Sequence, residues 1–166
     1  MERQMTILPD PKALQKAIDK IEIAEMQSRY MFALDWYDGD VYAGLFTPDG
    51  VLEWPEGSAA GQEAIRSACV RIGQYFGRIS AAAAPTKASH LRHFVTNQVI
   101  DVQGDTARAR AYWLDLDNDN KPRWPYVAAY GYYEDDLVRT DEGWRFTRRL
   151  IINEMTAESP PENPAW

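Results

Sequence analysis

The sequence of 166 residues has one cysteine, two histidines and no long apolar run, and each scarcity excludes a class of protein. Cys69 has no second cysteine to pair with, which excludes an internal disulfide and a cysteine-rich metal site. No run approaches the roughly 20 apolar residues that a membrane-spanning helix requires. The N-terminus lacks the charged-then-apolar order of a signal peptide. We therefore expect a cytoplasmic protein with no membrane partner.

Positive charge is also in short supply, because 18 Lys and Arg stand against 25 Asp and Glu, giving a net charge of -7. No basic cluster offsets this balance, so we expect no nucleic-acid partner. Aromatic residues, by contrast, are abundant, with 6 Trp and 9 Tyr. Such a supply suits a pocket for a flat apolar ligand and suits a homodimer interface equally well.

The spacing of apolar residues predicts helices in the first half of the chain. Asp10 and Pro11 are typical of a helix start, and the helix is expected to run to about Trp36. Its buried stripe is predicted to be Ile23, Met26, Tyr30 and Leu34. We then expect a short helix over 41–46, a turn over 47–50, a short strand over 51–54, a loop over 55–58 and a third helix from 61 to about 76.

Four long strands are predicted in the second half, over 88–102, 106–116, 124–138 and 144–153, joined by short turns. A small-residue loop at 80–85 precedes them. Residues 1–9 are expected to form a loose arm and 156–166 an irregular tail around a single domain with its core at about 10–155. Helices followed by adjacent strands indicate an α+β fold with helices packed on a curved, mostly antiparallel sheet. Long bent strands closed by helices predict a cone-shaped barrel with an internal cavity.

Both histidines lie in the segment 90–97, where the first long strand begins. Side chains alternate across a strand, so His90 and His93 face opposite sides of the sheet. A histidine that faces a cavity is a catalytic candidate because it titrates near neutral pH, although a hydrogen-bonded core histidine is the plain alternative. Asn97 shares the parity of His93 and is a candidate to orient a substrate. Further candidates to line a pocket are Trp54, Trp113, Tyr126 and Tyr130, but parity alone does not decide which sheet face meets the cavity.

Several short motifs, taken together, resemble a known family. They are Tyr30-Met31-Phe32-Ala33-Leu34-Asp35, Leu45-Phe46-Thr47-Pro48-Asp49-Gly50-Val51, Gly61-Gln62-Glu63-Ala64-Ile65, His93-Phe94-Val95-Thr96-Asn97, Gly104-Asp105-Thr106-Ala107 and Gly143-Trp144-Arg145-Phe146. Their order and spacing over about 17–153 resemble the SnoaL-like branch of the nuclear transport factor 2-like superfamily. That group includes polyketide cyclases, scytalone dehydratase and bile-acid 7α-dehydratase, and the resemblance implies the cone fold.

The resemblance also implies a catalytic set of Tyr30, Asp35 and His93. Asp35 would contact the His93 imidazole, fix its tautomer and stabilise the imidazolium, and Tyr30 would donate a hydrogen bond to a substrate oxygen. No histidine follows His93, which disfavours the two-histidine arrangement of the scytalone-type enzymes and favours a single-histidine one. No metal or organic cofactor is expected.

The expected function is a cofactor-independent lyase, most simply a dehydratase, or an isomerase. Its substrate would be a bulky, hydrophobic, hydroxylated ring compound of steroid-like, polyketide or lignin-derived type, with loss of water or of a small fragment such as formaldehyde. Two alternatives stay open, because one fold hosts several roles. One is a non-catalytic β-subunit of a ring-hydroxylating dioxygenase, which needs an iron-bearing partner; the other is a small-molecule-binding module. A homodimer or higher homo-oligomer is expected.

Overall fold

The computed structural model describes residues 10–82 and 90–157, in which three helices accompany a six-stranded sheet. The helices are α1 (Pro11–Asp35), α2 (Gly39–Gly44) and α3 (Gln62–Ala82). The strands are β1 (Phe46–Trp54), β2 (Gly57–Ala60), β3 (Leu91–Gln103), β4 (Thr106–Asp117), β5 (Tyr126–Thr140) and β6 (Gly143–Asn153). Their order in the sheet is β2-β1-β6-β5-β4-β3, antiparallel except for the parallel pair of β1 and β6. The predicted α+β fold is confirmed, with helices on a curved, unclosed sheet.

The first half of the chain departs from its predicted elements. Residues 47–50, predicted as a turn, belong to β1, which carries an irregularity between Phe46 and Val51 where it pairs with β6. Gly57–Ala60, which overlaps the predicted loop, pairs with β1 as β2. These differences share a cause, since pairing with a distant strand overrides local turn chemistry.

Smaller differences concern the ends of elements. Helix α2 begins and ends before its predicted bounds, α3 continues past Phe76 to Ala82, and β5 begins at Tyr126 rather than at 124. The predictions for 1–9, for 83–89 and for 158–166 lie outside the described residues. None of the described helices is long and apolar enough to cross a membrane.

The core lies between α1 and the sheet and contains a buried ion pair. The predicted stripe of Ile23, Met26, Tyr30 and Leu34 is buried. Below it, the Arg149 guanidinium pairs with both oxygens of Asp135, at 2.7 and 2.8 Å, and donates to Gln27 Oε1 at 2.9 Å. Because this polar cluster is fully buried, it ties α1 to β5 and β6.

Candidate active site

The end of α1 places Asp35 against β3. Two hydrogen bonds terminate the helix, from Asp38 N to Ala33 O at 2.8 Å and from Tyr37 N to Leu34 O at 3.1 Å. Tyr37 adopts a left-handed conformation with φ 59, so the pair of bonds has the Schellman pattern of helix ends. Asp35 thus occupies the last helical position, with only 7% of its surface exposed.

The carboxylate of Asp35 binds both the side chain and the main chain of His93. Asp35 Oδ1 lies 2.7 Å from His93 Nδ1, and the His93 main-chain N–H donates to Oδ1 and Oδ2 at 3.1 and 3.0 Å. The two side chains are 8% and 10% exposed. A carboxylate at Nδ1 favours the tautomer with its proton on Nδ1, which leaves Nε2 free to accept a proton. The contact implied by the family resemblance is therefore present.

A second carboxyl group, that of Asp115 on β4, lies on the other side of the imidazole. Asp115 Oδ2 is 3.9 Å from His93 Nε2, and Asp115 Oδ1 accepts the Ala129 main-chain N–H at 2.5 Å. Burial raises the pKa of Asp115, although His93 and the Ala129 N–H oppose the shift. Asp115 was not among the residues predicted to form the site. The sequence did contain a signal for it: Asp115 lies two residues after Trp113, so both side chains point to the same face of a strand that was expected to line a cavity.

His93 and Asp115 both line a cavity of about 580 Å³. This volume is within the usual range for sites that bind drug-sized ligands, roughly 300–1,000 Å³. Trp54 and Trp113, both predicted to line a pocket, are part of its wall. Apolar side chains from helices and sheet make up much of the remainder, including Leu34, Leu52, Ile72, Phe76 and Ile151.

Tyr30 does not reach the cavity. It is 0% exposed, its hydroxyl is hydrogen-bonded to that of Tyr42, and its ring centroid lies 4.1 Å from Arg149 Cζ. Tyr42, on α2, is a lining residue, as is Tyr133, whose ring stacks on that of Trp113. Tyr30 therefore lies outside the cavity wall, because α1 directs it into the core and Tyr42 separates it from the cavity.

Three of the predicted ligand-contacting residues lie elsewhere. Asn97 has φ 52 and sits where the register of β3 shifts, which breaks the alternation from His93 and leaves Asn97 exposed. Tyr126 and Tyr130 are 42% and 47% exposed and do not line the cavity, whereas Ala129 lines it from the same strand. The hydroxyl of Tyr126 donates to Asp119 Oδ1 at 2.6 Å, so Tyr126 lies beside a residue of the cavity wall, whereas Tyr130 lies away from it.

Comparison with known proteins identifies the family. A profile of the SnoaL-like domain matches residues 15–150. The chain belongs to the SnoaL-like family. A relative of uncharacterized function from Mycobacterium tuberculosis is 29% identical over 132 residues, covering 80% of this chain and 83% of the relative.

Two solved structures from Novosphingobium aromaticivorans extend the SnoaL-like comparison. An NTF2-like protein with a cystatin-like fold is 25% identical with a TM-score of 0.75, covering 93% of this chain and 94% of its own. A protein provisionally assigned as a scytalone dehydratase is 25% identical with a TM-score of 0.71, covering 90% and 93%. The predicted membership of the SnoaL-like group is confirmed.

Cys69, a further residue of the SnoaL-like cavity, has no sign of reactivity. Burial raises the pKa of its thiol to about 11, so the thiol stays protonated at neutral pH and is a poor nucleophile. Within residues 10–82 and 90–157, no group of three or more His, Cys, Asp or Glu side chains is arranged to hold a metal ion. The His93 imidazole and the Asp115 carboxyl both lie in the cavity wall, and Asp35 holds the imidazole from the end of α1.

Proposed function

We propose that this SnoaL-like protein is a cofactor-independent lyase of the dehydratase type, using His93 and Asp35 for acid–base catalysis. One observation carries the proposal: His93 lines the cavity while its Nδ1 is held 2.7 Å from Asp35. An imidazole oriented in this way can remove a proton from a bound molecule, and the carboxylate stabilises the imidazolium that forms.

In the proposed reaction, His93 Nε2 takes the proton from a carbon next to a carbonyl group. The electrons of the C–H bond form the new C=C bond, and the C–O bond to the hydroxyl on the adjacent carbon breaks. The His93 imidazolium then delivers that proton to the departing hydroxide, so that water leaves and the neutral imidazole is restored. Asp115 Oδ2, which lies 3.9 Å from Nε2, stabilises the imidazolium while it holds the proton. An isomerase would use the same first step and return the proton at another carbon.

The cavity favours an uncharged, hydroxylated ring compound as substrate. Apolar and aromatic walls suit flat ring systems, and a volume of about 580 Å³ accommodates several fused rings. Asp117 and Asp119 line the same cavity as Asp115, so a carboxylate substrate would face like charges. Steroid-like, polyketide and lignin-derived aromatic compounds without an acid group all meet these conditions.

A β-hydroxy ketone whose product is easily observed tests the proposal. The probe is 3-hydroxy-1-tetralone, which loses water to give 1-naphthol, measured by its ultraviolet absorbance. We expect turnover by the natural sequence and a fall of about 10²-fold or more in His93→Ala and in Asp35→Asn, because the base or its orientation is lost. Asp141→Asn, in the exposed turn between β5 and β6, is the matched control and should keep full activity.

The same assay separates the proposed enzyme from the non-catalytic alternatives. Full activity in both His93→Ala and Asp35→Asn would refute the acid–base role of this pair. Tight binding of the probe without conversion, and without exchange of its acidic hydrogens in D₂O, would favour a binding module. Copurification with a larger iron-bearing protein would favour the dioxygenase subunit.

We also propose that the outer face of the sheet binds a second copy of the chain. Phe94, Leu114 and Tyr130 form one row across β3, β4 and β5, and Tyr112 lies on a neighbouring row. Phe94, Tyr112 and Tyr130 are 47–50% exposed, so large rings lie side by side on one surface. Exposed patches of this kind commonly mark protein interfaces.

The oligomer proposal is tested by a charge placed on this face. Tyr130→Asp should shift the mass measured by light scattering from dimer to monomer, because an unpaired carboxylate would be buried at the contact. Val41→Asp, exposed on α2, is the control and should leave the mass unchanged. A dimer that persists in Tyr130→Asp would contradict the proposed interface.

A further inference from the structure

The main-chain carbonyl of Asp35, at the end of α1, accepts its hydrogen bond from a side chain of β3 rather than from the helix. The closing bonds of α1 use the carbonyls of Phe32, Ala33 and Leu34. The carbonyl of Asp35 instead accepts a hydrogen bond from Arg92 Nη1 at 3.2 Å. Residues at the last turn of a helix often lack such partners, and a cation there also interacts favourably with the helix dipole.

Arg92 is fixed on two further sides. The same Nη1 donates to the carbonyl of Leu91 on its own strand at 2.6 Å, and its guanidinium carbon lies 4.7 Å from the ring centroid of Trp36. The Arg92 side chain therefore links Leu91 on its own strand to Asp35, the last residue of α1. It also contacts Trp36, the residue that caps this helix. The guanidinium plane suits this combination of carbonyl bonding and ring stacking, which an ammonium group does not reproduce.

The geometry of the site depends on the distance between the end of α1 and the start of β3, which the Arg92 side chain bridges. His93 follows Arg92 directly, and its main-chain N–H meets Asp35 Oδ1 and Oδ2 at 3.1 and 3.0 Å while its ring meets Oδ1 at 2.7 Å. These contacts require the end of α1 and the start of β3 to keep one relative position. A displacement of about 1 Å at a catalytic group can cost roughly 10²-fold in rate.

We propose that Arg92 is a positioning residue that holds the Asp35 carboxylate against His93 through the Asp35 main chain. It touches no substrate and does not line the cavity. Its effect is to keep the proton of the imidazole on Nδ1, with Nε2 available to the cavity. This inference rests on the proposed function for its catalytic meaning, but the position of the proton on His93 can be measured with no substrate present.

The test is an NMR comparison of Arg92→Ala with the unmodified protein, using ¹⁵N-labelled histidine. The unmodified protein should give a strongly downfield Nδ1–H resonance in slow exchange and ring ¹⁵N shifts of the Nδ1–H tautomer. In Arg92→Ala we expect the Nδ1–H resonance to be lost and the ring shifts to become those of a mixture. If Arg92→Ala does not fold, Arg92→Gln, which keeps most of the side-chain length but not the charge, provides the same readout.

A matched control and a turnover measurement complete the test. Arg108→Ala also removes one arginine charge from a strand, at an ion pair with Asp136, and should leave the His93 resonances unchanged. With a substrate, Arg92→Ala should lower kcat by about 10- to 100-fold and leave KM nearly constant. Unchanged His93 resonances in a folded Arg92 variant would overturn the positioning role, whereas full activity of His93→Ala would overturn only the proposed function.

Discussion

At the scale of single residues, the feature that distinguishes this cavity is an imidazole between two carboxyls in different environments. Asp35 makes close hydrogen bonds to His93 and has no direct place in the cavity wall, whereas Asp115 lies in the wall at 3.9 Å from Nε2. Two similar groups can take different roles when their surroundings separate their proton affinities. The ionised form of Asp115 also destabilises the folded protein, because burial raises the pKa of its carboxyl.

Replacement of Asp115 by Asn should stabilise the protein while lowering its activity. Because the folded-state pKa is raised, the ionised carboxylate destabilises the native state. The contribution of Asp115 to the stability of the folded protein is fully present below the ordinary pKa of a carboxyl group. It is lost as the pH rises through the raised pKa of the folded state. Asn keeps an oxygen that can accept the Ala129 N–H. We therefore expect the free energy of unfolding at pH 7 to rise by about 1 kcal/mol, a gain typical of replacing a residue that serves function at the expense of stability.

Urea unfolding at several pH values measures this effect. Asp115→Asn should remove the decline in stability with rising pH that the raised pKa produces. Asp136→Asn, on the neighbouring strand and partly exposed in an ion pair with Arg108, should change stability by no more than about 0.5 kcal/mol. A loss of stability in Asp115→Asn at pH 7 would contradict the account given for this carboxyl.

At the scale of secondary structure, the end of α1 is held by packing against α3. Tyr37 has a conformation that glycine usually adopts after a helix, and its ring stacks on Phe76 with the planes 15° apart. Gly73 of α3 makes the close approach possible, because a Cβ at this position would lie 2.7 Å from Tyr37 Cβ. The site therefore depends on one small residue in α3, a helix that carries neither Asp35 nor His93.

Gly73→Ala should destabilise the protein, although alanine is the better helix former. The added methyl group would force Tyr37 and the end of α1 to move, at a cost of about 1–3 kcal/mol. Gly77→Ala is the matched control in the same helix, because nothing lies within 4 Å of its Cβ position, and it should stabilise by about 0.5–1 kcal/mol. Equal effects of the two substitutions on the midpoint of thermal unfolding would contradict this packing.

The elements that sequence could predict are those whose pattern is local. The stripe of α1 and the later strands follow from periodicity, and the pairing of Asp35 with His93 followed from family motifs. Asn97 was misplaced because a bulge in β3 reverses the alternation after Thr96, and the shift between Thr96 and Val99 is set by pairing with β4. Tyr130 was misplaced because parity does not reveal which face of a strand meets the helices. Asp115 was missed although its parity with Trp113 was visible.

At the scale of the whole molecule, the cavity combines apolar walls with an excess of negative charge. Asp115, Asp117 and Asp119 follow one another on one side, and the cation among the described lining residues, Arg71, is exposed. Asp117 is buried, and this burial raises its pKa. A ligand that brings a carboxylate into the cavity would add a like charge in a region of reduced screening.

Paired ligands of one shape should reveal this selectivity. We expect 2-naphthol to bind at least about tenfold more tightly than 2-naphthoate at pH 7.5, which corresponds to about 1.4 kcal/mol. Asp117→Asn should narrow the ratio, because it removes one like charge from the wall. Isothermal titration calorimetry gives both affinities, and Asp141→Asn in the exposed β5–β6 turn should leave the ratio unchanged. Equal binding of the two ligands would contradict the charge argument.

The parallel pair of β1 and β6 has a consequence for how the chain folds during synthesis. Phe46 pairs with Phe146, so β1, which can pair with β2 early, cannot join its other neighbour until the ribosome has made β6. Contacts between such distant segments slow folding, because loop-closure entropy is lost before any contact compensates for it. Ile151 and Asn153 of β6 also line the cavity. The binding site is therefore completed by β6, which is translated after the other described strands, and a nascent chain that stalls before β6 carries both Asp35 and His93 without an enclosed cavity.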